Sequence, residues 1–138
     1  MTDPAAIDYG SALQKAVFDR LVATVTGASV HQHVPEKTPP PVVIIGAPQS
    51  ENRAGKGEIS DRWTMVIFAV TKGPSQAANL SLQTKVRAGL AHWKATATAD
   101  VIFGRIGWPD TDTSPVLKDD IYYGTITVTC TTEPAAAG

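Results

Sequence analysis

"TPPPVVIIGAPQSENRAGKGEISDRWTMVIFAVT", residues 38–71, decides how this chain folds. Proline donates no ladder hydrogen bond, so Pro39, Pro40 and Pro41 stop regular pairing just before the chain turns β-branched. "VVIIGA", 42–47, then reads as a buried strand with apolar residues on both faces. "PQSENRAGKGE", 48–58, reads as a polar loop, too long for a tight hairpin and placed to project from the sheet. "ISDRWTMVIFAVT", 59–71, is the strongest strand in the chain. Side chains alternate along a strand, so Trp63, Met65, Ile67 and Ala69 share one face and Thr64, Val66, Phe68 and Val70 the other. With both faces apolar, the sheet is expected to be covered on both sides, by helices or by a neighbouring subunit.

Outward from this pair, residues 9–26 have helical spacing. Leu13, Val17, Leu21 and Val25 recur every fourth residue, with Phe18 and Val22 widening the stripe. Asp8 or Ser11 can cap the start, and Gly27 is placed to end the helix. "VHQHV", 30–34, alternates as a short strand with His31 and His33 on one side. Residues 73–95 read as a second helix, with Pro74 suited to its first turn and Leu82, Val86, Leu90 and Trp93 as its stripe, Leu80 at the edge. Gly89 inside that helix costs about 1 kcal/mol relative to Ala, which a close approach of another backbone would explain. A strand with a glycine kink over 100–108, a loop over 109–120 and a last strand over 121–132 complete the chain. In the last strand Tyr122, Ile126, Val128 and Cys130 face one way, and Tyr123, Thr125, Thr127 and Thr129 the other. The expected order is α-β-β-β-α-β-β. That is an α+β fold, a mostly antiparallel or mixed sheet with two helices packed on it, forming a single domain over 1–138 with a flexible C-terminus at 133–138.

Composition narrows the function classes. The chain has 138 residues, 43% hydrophobic and 18% charged, which suits one globular core. Twelve basic residues against 13 acidic ones give a net charge of −1, with no run of Lys or Arg, so nothing calls for nucleic-acid binding. The one cysteine, Cys130, excludes an intrachain disulfide and reads as a buried structural thiol rather than a nucleophile. No stretch is long and apolar enough to cross a bilayer as a helix, and "MTDPAAIDYG" lacks the basic and apolar regions of a signal peptide.

The chemical motifs are weak. His31 and His33 at i and i+2 can chelate a metal, but no Cys/His cluster lies nearby and His92 is the only other histidine. Asp110, Asp112, Asp119 and Asp120 fail the calcium-loop pattern, because Pro115 and Ile121 stand where glycine and glutamate are required; a solvated acidic loop, or one facing a channel or partner, is the reading. Gly46, Gly55, Lys56 and Gly57 do not make a phosphate loop, since Lys56 is followed by Gly57 and no helix follows. No nucleophile with a paired base is apparent. An enzyme is not expected, and no cofactor or metal is called for. One alternative is a small-ligand or peptide-binding module with Trp63, Trp93 and Trp108 around an apolar pocket.

Four stretches, in this order, carry a resemblance: "SALQKAVFDRLVA", "HVPEKTPPPVVIIGA", "DRWTMVIFAVTKGPSQAANLSLQTKVRAGL" and "YYGTITVTC". Together, over about residues 11–132, they resemble the tail-completion or tail-terminator proteins of long-tailed bacteriophages and gene transfer agents. The interval "IGWPDTDTSPVLKDD", 106–120, matches none of that family's motifs. The resemblance implies a structural virion protein, made in the bacterial cytoplasm. It would form a ring, commonly a hexamer, on the head-proximal end of the tail tube. Its implied partners are the tail-tube protein and the head connector or stopper, with DNA passing through the lumen without specific binding; another neck component is the nearest alternative. The residues expected to make the contacts are Glu51, Asn52, Arg53, Lys56 and Glu58 on the polar loop, with Trp63 and Gly89 on the elements behind it.

Overall fold

The computed structural model describes residues 3–33, 39–52, 60–113 and 118–135. Two α-helices, α1 (Tyr9–Thr24) and α2 (Ala77–Leu90), lie against a seven-stranded sheet. Its strands are β1 (Ser29–His31), β2 (Val42–Ile45), β3 (Gln49–Asn52), β4 (Asp61–Lys72), β5 (Val101–Phe103), β6 (Asp110–Thr113) and β7 (Ile121–Pro134). The fold is α+β with a mixed sheet: β1 and β2 pair in parallel, and every other pairing is antiparallel.

The long pair β4–β7 is the spine, in register from Asp61 opposite Thr132 to Lys72 opposite Ile121. On the far side of β4, β2 pairs with its second half and β3 with its first. On the far side of β7, β6 and β5 divide the edge in the same way. The core forms where the odd-numbered face of β4 and the even-numbered face of β7 meet the helices. Met65, Ile67 and Ala69 are buried there with Ile126, Val128 and Cys130, and Ile67 stands directly opposite Ile126. Tyr9, Leu13, Val17 and Leu21 from α1 and Leu82, Val86 and Leu90 from α2 close over them.

Local chemistry explains the ends of α1. The Asp8 carboxylate accepts from the Ser11 N–H (3.0 Å) and the Ser11 hydroxyl (2.7 Å), which meets one of the orphan donors of the first turn. Those two hydrogen bonds hold the Asp8 carboxyl below its usual range. The helix ends at Thr24, and Gly27 lies beyond it with a positive φ of 81°. Of the wider stripe, Phe18 packs on the core but Val22 is 55% exposed.

Several expected boundaries move. Residues 49–52 are strand β3, not loop, and residues 110–113 are strand β6, so the order gains two strands. The helix expected over 73–95 spans only Ala77–Leu90: Ala91 is extended and His92 takes a φ of 58°. The segment after it doubles back as a ribbon, where the Ile106 N–H donates to Trp93 O (2.8 Å) and Lys94 bridges Arg105. Trp93 therefore reaches the core from this ribbon rather than from the helix. Glu133 and Pro134, expected to be flexible, pair with Ile102 and Val101, and the Ala135 N–H donates to Asp100 O. Residues 136–138 lie outside the described residues.

α2 is fastened to the sheet by polar groups. Asn79 is fully buried; its Nδ2 donates to Ala69 O, Thr71 Oγ1 and Tyr122 O at 2.9–3.1 Å, and its Oδ1 accepts from Gln83 Nε2 at 2.7 Å. Gln83 Nε2 also donates to Thr113 Oγ1 of β6 at 2.6 Å. The two amides lie on Gly124, where any Cβ would collide with both.

Candidate interaction surface

The residues expected to make contacts do not form one site. Glu51 and Asn52 are exposed on β3, opposite Arg62 and Asp61 of β4. The supposed loop thus begins as one arm of a hairpin. Arg53, Lys56 and Glu58 lie outside the described residues. Trp63 packs over Gly10 of α1, and its Nε1 donates to the buried Thr132 hydroxyl at 2.7 Å, so it belongs to the rim of the chain's own core. Gly89 is spent within the chain as well. A Cβ there would run into the Thr24 hydroxyl of α1, and the Gly89 carbonyl accepts from Arg20 Nε at 2.7 Å. What comes close to Gly89 is the Thr24 side chain of the chain's own first helix, not the other backbone that was expected.

Among the described residues the chemical candidates do not cluster. The His31 ring lies 2.9 Å from the Ser29 hydroxyl, and no group of three or more potential metal ligands exists among the described residues. Asp110 and Asp112 are on β6, and Asp119 and Asp120 sit in a short turn with positive φ. Burial pushes the Cys130 thiol up to about 11, and the thiol lies 3.2 Å from Gly104 O as a donor, so it stays protonated and a poor nucleophile at neutral pH.

The three tryptophans are dispersed rather than arranged round a pocket. Trp93 is covered by the Arg20 guanidinium, 5.3 Å from the ring centroid. Trp108 is covered by the Arg87 guanidinium at 4.6 Å, with the His92 ring 6.3 Å away. Arg87 is itself fixed, donating through Nε to Pro109 O (3.1 Å) and through Nη2 to Thr111 Oγ1 (2.9 Å). The His92 N–H donates to Gly107 O, and Arg105 Nη1 donates to His92 O. Trp108 is braced in this way from several directions and still 63% exposed. An aromatic ring held rigidly in water carries its ordering cost in advance, which is the property of an interface anchor.

The second feature is the sheet face turned away from the helices. Both helices lie on one face of β4, so if its other face is covered, as expected, the cover is not one of these helices. On the open face, cross-strand register puts His31, Ile44, Phe68, Thr125 and Asp112 in one row, and Val66, Thr127 and Asp110 in the adjacent row. Thr111 and Thr113 meet α2, so alternation sends Asp110 and Asp112 to the open face. Ile44, Val66 and Phe68 are half-buried and Tyr123 is 38% exposed. Ile44, Gly46, Ala47, Phe68 and Tyr123, with Gln32 and His33, line an open concavity of about 420 Å³. Sequence reasoning found both apolar faces of β4; which one stays open depends on where the helices dock.

No family model matches the chain, and no curated protein does. Among solved structures, the fold is shared with a chain of the virion of a native gene transfer agent particle. The likeness has a TM-score of 0.79 at 17% identity, over 92% of this chain and 99% of that one. At that identity the likeness is one of fold.

Proposed function

We propose that this chain is a structural virion protein that assembles as a ring, a hexamer, on the head-proximal end of a phage or gene-transfer-agent tail tube. There it ends tube growth and docks the tail to the head connector, with DNA passing through the lumen. The observation that carries this reading is the end-to-end match of the fold to a chain of a gene transfer agent virion, with almost nothing left over on either side. Surfaces, not a reaction centre, do the work.

A ring of identical subunits joins two different faces of each copy and closes by rotation. Trp108 and the open sheet face are two such features. Arg53, Lys56 and Glu58, which follow β3 in the sequence, are assigned here to contacts with the tube or the connector. Replacing those three residues with alanine is expected to leave self-assembly intact and to weaken tail attachment.

Light scattering or mass photometry of the protein, alone and with purified tail tubes, tests the reading. A closed oligomer, or a monomer that becomes a ring only at tube ends, is the expected result. A monomer indifferent to tubes at all concentrations would overturn it.

A further inference from the structure

We infer that Trp108 of one copy seats in the apolar concavity on the open sheet face of the next copy. The inference rests on the ring reading and deepens it by naming the two faces that meet.

The two features are complementary in shape and lie on different faces. Trp108 is convex, held by Arg87 of α2 on the helix side, and 63% exposed. The concavity is lined by Ile44, Phe68 and Tyr123 on the opposite face of the sheet, and its volume of about 420 Å³ exceeds what one indole ring fills. A knob and a socket on different faces of one chain make a head-to-tail contact, the kind a ring requires.

Charge points the same way. Arg87 lies over the knob and Arg105 donates to the carbonyl of His92, whose ring stands beside it; among the described residues neither guanidinium forms a salt bridge. On the socket's face, one strand beyond β7, stand Asp112 in the row of Phe68 and Asp110 in the row of Val66. A cationic side thus meets an acidic one, which fixes orientation and register at an interface. Asp110 and Asp112 lie on the socket's face, so they argue against a polyphosphate as the occupant of the socket. Beside the knob, Leu80 and Thr84 of α2 are exposed and uncharged, the anatomy of a protein interface rather than a phosphate-binding one.

The test uses the full chain. Trp108→Ala on the knob and Tyr123→Asp on the socket are each expected to raise the concentration at which half the protein is assembled by at least about tenfold, with the melting temperature of the dilute monomer almost unchanged. A second measurement reads the contact itself. Trp108→Cys chains are mixed with Tyr123→Cys chains and treated with a short bismaleimide. A covalent dimer is expected from the mixture and not from either variant alone, and the wild type serves as the control because Cys130 is 5% exposed. A wild type that assembles while Trp108→Ala assembles equally well, with no mixed cross-link, overturns the inference and leaves the ring reading standing. A wild type that never assembles, alone or on tubes, overturns both. Loss of binding to a duplex oligonucleotide in Trp108→Ala, with self-assembly unchanged, would give the knob to nucleic acid and also overturn the inference.

Discussion

Asn79→Ala is expected to lower the stability of the fold by about 4 kcal/mol. The Asn79 amide is fully buried, with its Nδ2 shared among three acceptors and its Oδ1 taken by Gln83. Two donated protons and one accepted bond, at a net contribution of about 1 kcal/mol each, give about 3 kcal/mol. The substitution also strips one acceptor from Gln83, whose Nε2 then keeps only Thr113; an unsatisfied buried proton costs about 1–2 kcal/mol more. Alanine recovers roughly half a kcal/mol in helix propensity. The assay is urea unfolding followed by tryptophan fluorescence, at concentrations below self-assembly, with the denaturant slope expected to stay constant. A melting temperature lower by on the order of 10 °C should accompany it. Gln83→Ala should cost less alone, and the double variant should show coupling of at least about 1 kcal/mol, because the two side chains share a hydrogen bond. A loss below about 1 kcal/mol, or strict additivity with Gln83→Ala, would refute the view that this pair fastens α2 to β4, β6 and β7.

Three further outcomes follow from the same geometry. Gly89→Ala should destabilise despite the gain of about 1 kcal/mol in helix propensity, because the new methyl meets Thr24; Gly89→Ala with Thr24→Ala should recover that gain, read from urea midpoints. Asp8→Ala should cost about 1 kcal/mol by removing the cap of α1. Its carboxyl is held low in the folded state, so its contribution is present above the ordinary carboxylate range and lost as pH falls through the lowered value, which an acid titration of wild type against variant detects. The Cys130 thiol has the opposite sign. Raised to about 11 in the fold, it contributes stability that is full below its unfolded value and lost as pH rises toward 11; Cys130→Ala should flatten that part of the alkaline limb, and native protein should resist alkylation at pH 8 until denatured.

The parts of this fold that sequence reveals are those in which local period and burial agree. β4 and β7 alternate strictly, and α1 repeats every fourth residue, so each reads correctly from one end to the other within a few residues. β3 and β6 were hidden because "QSEN" and "DTDT" have no apolar alternation to show. They are strands only because the edges of β4 and β7 offer unpaired ladder groups, a condition that exists after the spine has formed. α2 was overextended because Trp93 continues the spacing of Leu90, yet the ribbon brings that indole to the core by another route. The candidate surface was less legible still. Gly89 and Trp63 stood out as unusual residues, and both serve the chain's own packing, whereas Trp108, in an interval without motifs, is the exposed one. Exposure is a property of the assembled layers, and no single stretch of residues encodes it.

The braces around Trp93 and Trp108 show why charge alone does not describe this surface. Arg20 and Arg87 each use Nε to hold a backbone carbonyl while the flat face of the guanidinium lies over an indole. A lysine ammonium keeps the charge but has neither the fork nor the plane. Arg87→Lys should therefore leave the net charge unchanged, cost about 1 kcal/mol or less in stability because the site is half exposed, and free the Trp108 ring. With 5-fluorotryptophan incorporated, the Trp108 fluorine resonance should narrow and move toward the free-indole position, while those of Trp63 and Trp93 stay in place. Self-assembly should weaken in parallel, since a ring that must be ordered on contact forfeits the advantage of having been fixed beforehand. An unchanged Trp108 resonance would show that Pro109 and the ribbon hold the ring without Arg87. The guanidinium would then be a charge on the rim and no part of the anchor.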